Sequence, residues 1–371
     1  MSPTASVAED GSGTGEAASF ARALDRRRRV LLTALAGALL AAVLLSLGLG
    51  AVAIEVGEII AILAGALGLD LSEGIGRREE MVLLAIRLPR VLLGLLAGAA
   101  LALSGAVLQG LFRNPLADPA LIGVSMGAAL AAVAAIVLGG ALTAILPPGT
   151  RHLLLPAAAF LGGLLTTLAV YKIADRDGHT DVATLLLAGI AMNAVASAGI
   201  GLLIFLSDDQ QLRDLSFWLL GSLGGNSWSR ILPVVPFVLG PLILLPLLAR
   251  HLNALALGER EALHLGFDVE RTKRLIVVLA AMATGATVAL TGVIGFVGLV
   301  VPHLIRLLAG PNHRTLLPAA ILLGATLMLL ADLSARLVVL PAELPIGILT
   351  SLIGGPFFVW LLVRRRAVGG W

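Results

Sequence analysis

A succession of apolar runs, each long enough to cross a bilayer, leaves this chain few ways to fold. Val30 to Ile54 carries no charge, and comparable stretches lie within residues 81–112, 119–150, 153–170, 182–207, 231–249, 275–302, 315–331 and 344–363. A spanning helix needs about 20 such residues, so most of these runs can cross. The glycine- and proline-broken 275–310 region has room for one full helix and one short one. An all-α membrane protein of ten transmembrane helices is expected, the eighth of them short. Composition agrees: 58% of the 371 residues are hydrophobic and 13% are charged, against roughly half and a quarter in soluble domains.

The segment after Arg26–Arg29 mimics a secretory signal up to Ala51-Val52-Ala53, but the apolar run far exceeds the 7 to 15 residues of a signal core. It is expected to be a retained helix. Residues 1–25 lack apolar periodicity and are expected to be a disordered cytoplasmic tail, with residues 26–371 forming the transmembrane domain. Ten crossings from an inside N-terminus place 18 of the 26 Lys and Arg residues on the cytoplasmic side. This is the bias that the positive-inside rule demands, and it puts both termini in the cytoplasm. The basic residues are dispersed between spans, which excludes a nucleic-acid reading. Cysteine is absent, so there are no thiolate sites and no disulfides.

The chain also resembles itself. LALSGAVLQGLFRNPLA (101–117) matches VALTGVIGFVGLVVPHL (288–304), pairing Gly98 with Gly285, Ser104 with Thr291, Gly105 with Gly292, Pro115 with Pro302 and Arg87 with Arg274. In the expected topology the two copies run in opposite directions. Inverted repeats that rock about a midplane pathway are a transporter device; small residues also recur wherever membrane helices pack tightly.

Ion-coupled carriers place carboxylates, His or Lys inside the membrane, and the third to seventh spans have almost none. No G-x-x-x-x-G-K-[ST] element is present, so this chain cannot cradle ATP itself. No nucleophile or metal-ligand cluster suggests membrane enzymology, and His303 has no companion ligands at metal spacing. Energy must come from a partner. The longest cytoplasmic loop, residues 253–273, carries two helical patches (254–264 and 268–274) about Gly266, with Leu257, Leu263 and Leu265 among its charges. From spacing alone it is either a docking loop or an ordinary solvated one.

RLPR (87–90), SGAVLQGLFRNPLADPALIGVSMGA (104–128), LLLAGIA (185–191), LGEREALHLGF (257–267), GFVGLVVPHLIR (295–306), NHRTLLP (312–318), ADLSAR (331–336) and ELPIGILTSLIGGPFFVWLL (343–362) occur in consistent order from about residue 30 to 366. Together they resemble the iron-siderophore, heme and cobalamin permeases of the ATP-binding-cassette importer superfamily. The resemblance implies a non-catalytic permease of the bacterial inner membrane, working as two copies with two ATPase subunits and a periplasmic substrate-binding protein. It implies that Glu259, Ala262, Leu263 and Gly266 insert into the ATPase and that Asn114, Pro115 and Leu116 form part of a cytoplasmic gate. A proline there gives a rigid turn, which would equally end a helix.

Arg87, Arg90 and Arg336 resemble family arginines that dock the binding protein; snorkelling anchors, or for Arg336 a local pair with Asp332, would look the same. The DDQQLRDLSFW segment (208–218) looks closest to heme permeases. Heme is therefore the expected cargo, with siderophore or cobalamin as the alternative. No permanently bound cofactor and no metal site are expected, and ATP belongs to the partner subunit.

Overall fold

A computed structural model of the chain describes residues 12–69, 76–145, 147–339 and 342–367. Helix α1 (Ser12–Gly48) starts well before the first apolar run. The expected disordered tail is thus corrected from Ser12 onward, while residues 1–11 lie outside the described residues. Nucleation is the costly step of helix formation, and the alanine-rich 17–23 segment extends an existing span readily. Helix α2 (Val56–Ala66) opens on a capping box between Glu55 and Glu58. At about 16 Å it is too short to cross, and it buries Ile59 and Ile62 beside Ala42 of α1.

Next come α3 (Arg77–Leu111), α4 (Val124–Ile145), α5 (Leu154–Ala174) and α6 (Val182–Phe205), with a small β1–β2 hairpin (Asp175–Arg176, His179–Thr180) joining α5 to α6. The second half begins with α7 (Asp209–Leu220), which is short, amphipathic and capped by Asp208. A bent pair follows, α8 (Val235–Leu247) and α9 (Ala249–Leu255), and then α10 (Glu259–His264), α11 (Val269–Thr291), α12 (Val297–Ala309), α13 (His313–Leu337) and α14 (Ile346–Ala367).

Among the described residues six helices are long and apolar enough to cross alone, and the α8–α9 pair, bent by 56°, makes a seventh crossing. With α4, α12 and α14 the expected ten are present. The eighth, α12, has 13 residues, or about 20 Å, and is short as expected.

Five crossings precede α7 and five follow, so the second half must run inverted relative to the first. The contacts around the two central helices exchange with the halves: α3 with α13 answers α11 with α5, α3 with α12 answers α11 with α4, and α3 with α11 lies on the pseudo-axis. The residue pairing read from sequence does not follow this symmetry. Ser104 lies inside α3 whereas Thr291 ends α11, and Pro115 lies in a turn whereas Pro302 is inside α12. The equivalent helix ends, Leu111 and Thr291, are 180 residues apart, not 187. Similar small residues serve close helix packing in both copies at different depths.

Helix α3 is the axis of the bundle, with nearly every residue from Pro89 to Leu111 buried. A Cβ on Gly98 would fall 2.2 Å from the Gly324 carbonyl oxygen of α13, and one on Gly105 would fall 1.9 Å from the Gly298 oxygen of α12. The backbones touch, so only glycine fits.

Candidate coupling and gating sites

Side-chain contacts gather the expected cytoplasmic segments at one end of the bundle. Asn253 of α9 accepts from the backbone N–H of His313 at the start of α13 (2.9 Å), and its own amide donates to Asn312 (2.9 Å). The end of α3 joins them, because Gly110 lies against Leu252 and His313.

The loop between the bent sixth crossing and α11 is not two patches about Gly266. The first patch is broken at Gly258, which has φ +137°, and only Glu259–His264 is a separate helix. The second is the first turn of α11, which Asp268 caps by accepting from the Arg271 N–H at 2.9 Å. Gly266 supplies the reversal at φ +84°, a conformation that costs a residue with a Cβ.

The four residues expected to couple divide by exposure. Ala262 is fully buried and anchors α10 to the core, whereas Leu263 is 58% exposed and is flanked by exposed Leu257 and Leu265. Glu259 turns inward to Lys273 (2.8 Å). Lys273 is buried. Its Nζ also reaches Glu270 (3.0 Å) and the Thr180 carbonyl (2.9 Å), while Glu270 accepts from the Thr180 N–H. One ammonium therefore ties α10, α11 and the β1–β2 hairpin together. This residue was not singled out in the sequence, since its partners lie on three segments.

The candidate gate, Asn114-Pro115-Leu116, follows α3 directly. Asn114 Oδ1 accepts from the Leu116 N–H (2.9 Å), and the Asn114 carbonyl accepts from Ala117 (3.1 Å), which closes a tight turn. Asp118 then caps the short helical turn Pro119–Ile122. Burial pushes the Asp118 carboxyl up from its ordinary range, against the bond it accepts from Ala120. Helix α6 holds this helical turn at two points. Gly189 of α6 lies so close to Leu121 that a Cβ would meet its carbonyl oxygen at 1.8 Å, and Asn193 donates to the Ala120 carbonyl (3.0 Å). Gln109, also not singled out in the sequence, bridges to α12 by donating to the Gly298 carbonyl (3.0 Å) and accepting from Arg306.

At the opposite end sit Arg87, Arg90 and Arg336, all buried. Pro89 lacks an N–H and would clash in a regular preceding turn, and the chain answers with a π-helical turn, Val82–Arg87, that carries Arg87 inward. Arg87 donates to the carbonyls of Leu47, Gly48 and Val52, and Arg336 donates to those of Ser46 (3.2 Å) and Leu49 (3.3 Å). The last carbonyls of a helix have no partners within it, so the two arginines cap α1. Arg90 grips the buried Asp332 with Nε and Nη2 and Glu343 with Nη1 (2.8 Å), and Asp332 also pairs with Arg336 at 3.1 Å. The local pair between Arg336 and Asp332 is present. Of the three arginines, only Arg90 has a half-exposed partner, Glu343.

Beside this cluster the backbone is drawn tight around the α11–α12 break. Ser222 N–H donates to the Thr291 carbonyl (2.7 Å), and Cβ atoms on Gly292 and Gly347 would meet the carbonyls of Trp218 and Leu220 at 2.0 and 2.2 Å. Phe296 adopts φ +69° with its ring against Gly354. Strain of this kind in a bulky residue persists only where surrounding packing enforces it.

Along the spans of the described residues, ionisable side chains stay near helix ends, apart from Arg87 and Arg90 of α3 and His303 within the short α12. The polar groups thus form two terminal clusters joined by an apolar bundle, an arrangement suited to a moving frame and not to proton relay. A model of the FecCD transport family matches residues 28–364.

The chain belongs to that family.

Among relatives of this FecCD protein, the hemin transport system permease of Yersinia pestis is 51% identical over 283 residues, covering 76% of this chain and 83% of its own. The cobalamin import permease of Halobacterium salinarum is 44% identical (79% and 76% covered), and the vitamin B12 import permease of Salmonella typhimurium is 41% identical (93% and 98%). A solved transporter assigned to the metal-chelate ABC type, in an inward-facing conformation, superposes with a TM-score of 0.78 at 35% identity, covering 91% of this chain and 99% of that one.

Proposed function

We propose that this FecCD-family protein is the membrane permease subunit of an ATP-binding-cassette importer for heme, with ATP hydrolysis on a separate subunit. The observation that carries the importer reading is the coupling loop. Exposed Leu257, Leu263 and Leu265 stand on a segment that Lys273 locks to the transmembrane frame. Such a surface receives force from a soluble partner. Two copies of the permease would stand over two ATPase subunits in the bacterial inner membrane, with both termini cytoplasmic and a periplasmic binding protein above.

The cargo assignment rests on 51% identity with a hemin permease against 41–44% with cobalamin permeases, together with the 208–218 segment, which here forms the cap and most of helix α7. Proteoliposomes holding the full complex are expected to accumulate heme only with ATP and binding protein. Movement of cobalamin or a ferric siderophore without heme would reassign the cargo and leave the importer class standing.

Leu263→Asp tests the loop. The side chain is largely exposed, so the change should alter stability by no more than about 0.5 kcal/mol while placing a charge in the apolar contact with the ATPase. Co-purification of the ATPase and stimulated hydrolysis should both fall. Wild-type assembly and turnover would remove the loop from the coupling interface.

For the binding protein, the docking role narrows to Arg90. Charge reversal at Arg87 would set a carboxylate against three carbonyls and disturb α1 itself. Glu343→Gln instead releases the outer nitrogen of Arg90 for an acidic partner residue, and the expected result is faster, more salt-sensitive association. An unchanged association rate would mean that Arg90 works within the subunit alone.

A further inference from the structure

A cavity of about 1420 Å³ opens at the coupling end, between the start of the first span and the α12–α13 connection. Its cations are Arg26, Arg27 and Arg28 of α1 with Arg306 and Arg314, and the one acid among its lining residues is Asp25. This excess of positive charge adjoins apolar side chains that face outward. Val30, Leu307 and Leu308 line the same cavity and are 59%, 63% and 68% exposed.

On α1 the order is specific. Arg27 and Arg28 stand one turn before Leu31 on the same helix face, so cations give way to apolar surface in the direction that enters the membrane. A phosphate followed by acyl chains has the same sequence of chemistries, and basic pockets between transmembrane helices are suited to anionic headgroups.

We propose that this cavity binds an anionic phospholipid, with its phosphate among the arginines and its acyl chains along Val30, Leu307 and Leu308. A soluble phosphate has no use for the exposed leucines. An acidic surface of the ATPase would be expected at the neighbouring groove of Leu257, Leu265 and Phe267, which shares Asn312 and Arg314 with this cavity but not Arg27 or Arg28. The occupant would fix the start of α1 against α12, the helix to which Gln109 ties the end of α3.

The test equilibrates the full chain with vesicles of equal phosphatidylglycerol and phosphatidylcholine, then counts retained lipid by native mass spectrometry. Wild type should retain phosphatidylglycerol selectively. The Arg27→Gln, Arg28→Gln double variant should lose that retention by roughly ten- to thirty-fold, and Leu307→Ser with Leu308→Ser should lose it while keeping every charge. Monodisperse elution with wild-type helicity establishes that the variants are folded; if the arginine pair does not fold, the leucine pair decides. Equal retention of the two lipids, unchanged phosphatidylglycerol in the folded variants, or its displacement by millimolar inorganic phosphate would each overturn the proposal. Loss of ATPase capture with lipid retention intact would assign the surface to the protein partner instead.

Discussion

Lys273→Met should give a complex that still assembles and hydrolyses ATP but moves little cargo. Lys273 Nζ holds Glu259 of α10, Glu270 of α11 and the Thr180 carbonyl of the hairpin between α5 and α6. Those elements belong to both halves of the inverted repeat, so a displacement of α10 reaches the whole bundle through one nitrogen. Removing one member of a fully buried ion pair costs roughly 3–5 kcal/mol. Here the carboxylates are 39% and 25% exposed, and solvent screening reduces the penalty to about 1–2 kcal/mol. A domain with 5–15 kcal/mol of stability survives that. The effect should therefore appear in the ratio of transport to hydrolysis, measured in the same proteoliposomes. Lys273→Arg should restore most of the ratio, because a cation returns to the site. An unaltered ratio in Lys273→Met would dismiss the lysine as a coupling element, and a parallel loss of assembly would mark it as structural only.

What was legible in the sequence divides along the range of the forces involved. Long apolar runs reveal themselves locally, so the spans, the short α12 and a break within residues 275–310 could be read directly. The helical extension over residues 12–25 could not, because a polar, alanine-rich segment is helical only where a neighbouring span nucleates it. The arginines were visible as charges at helix ends, but their use was hidden. Arg90 meets partners 242 and 253 residues away, and Arg87 reaches carbonyls 35 to 40 residues back. Intramolecular capping and docking to another protein demand the same residue at the same depth, and only the fold distinguishes them. The residues expected to couple illustrate the same limit, since a motif names Ala262 and Leu263 together although one faces the core and the other is exposed.

The larger loss of stability is expected at Gly105. The obstacle to any side chain there is the Gly298 backbone oxygen, 1.9 Å from where a Cβ would stand, and a carbonyl within a helix cannot swing aside as a side-chain end can. Even Gly105→Ala must push α12 away from α3, at a cost of about 1–3 kcal/mol or more; Gly105→Leu should prevent the helix from seating. The same shift lengthens the bond from Gln109 to the Gly298 carbonyl and so loosens the tie between α3 and α12. Gly37 of α1 is the matched control, because nothing lies within 4 Å of its Cβ position. Gly37→Ala should be neutral or stabilise by up to about 1 kcal/mol through helix propensity. Thermal unfolding of the purified variants, with transport measured alongside, separates the two sites: Gly105→Ala should lower both, and Gly37→Ala should lower neither. If Gly105→Ala behaved like Gly37→Ala, the contact between α3 and α12 would not be a packing seam.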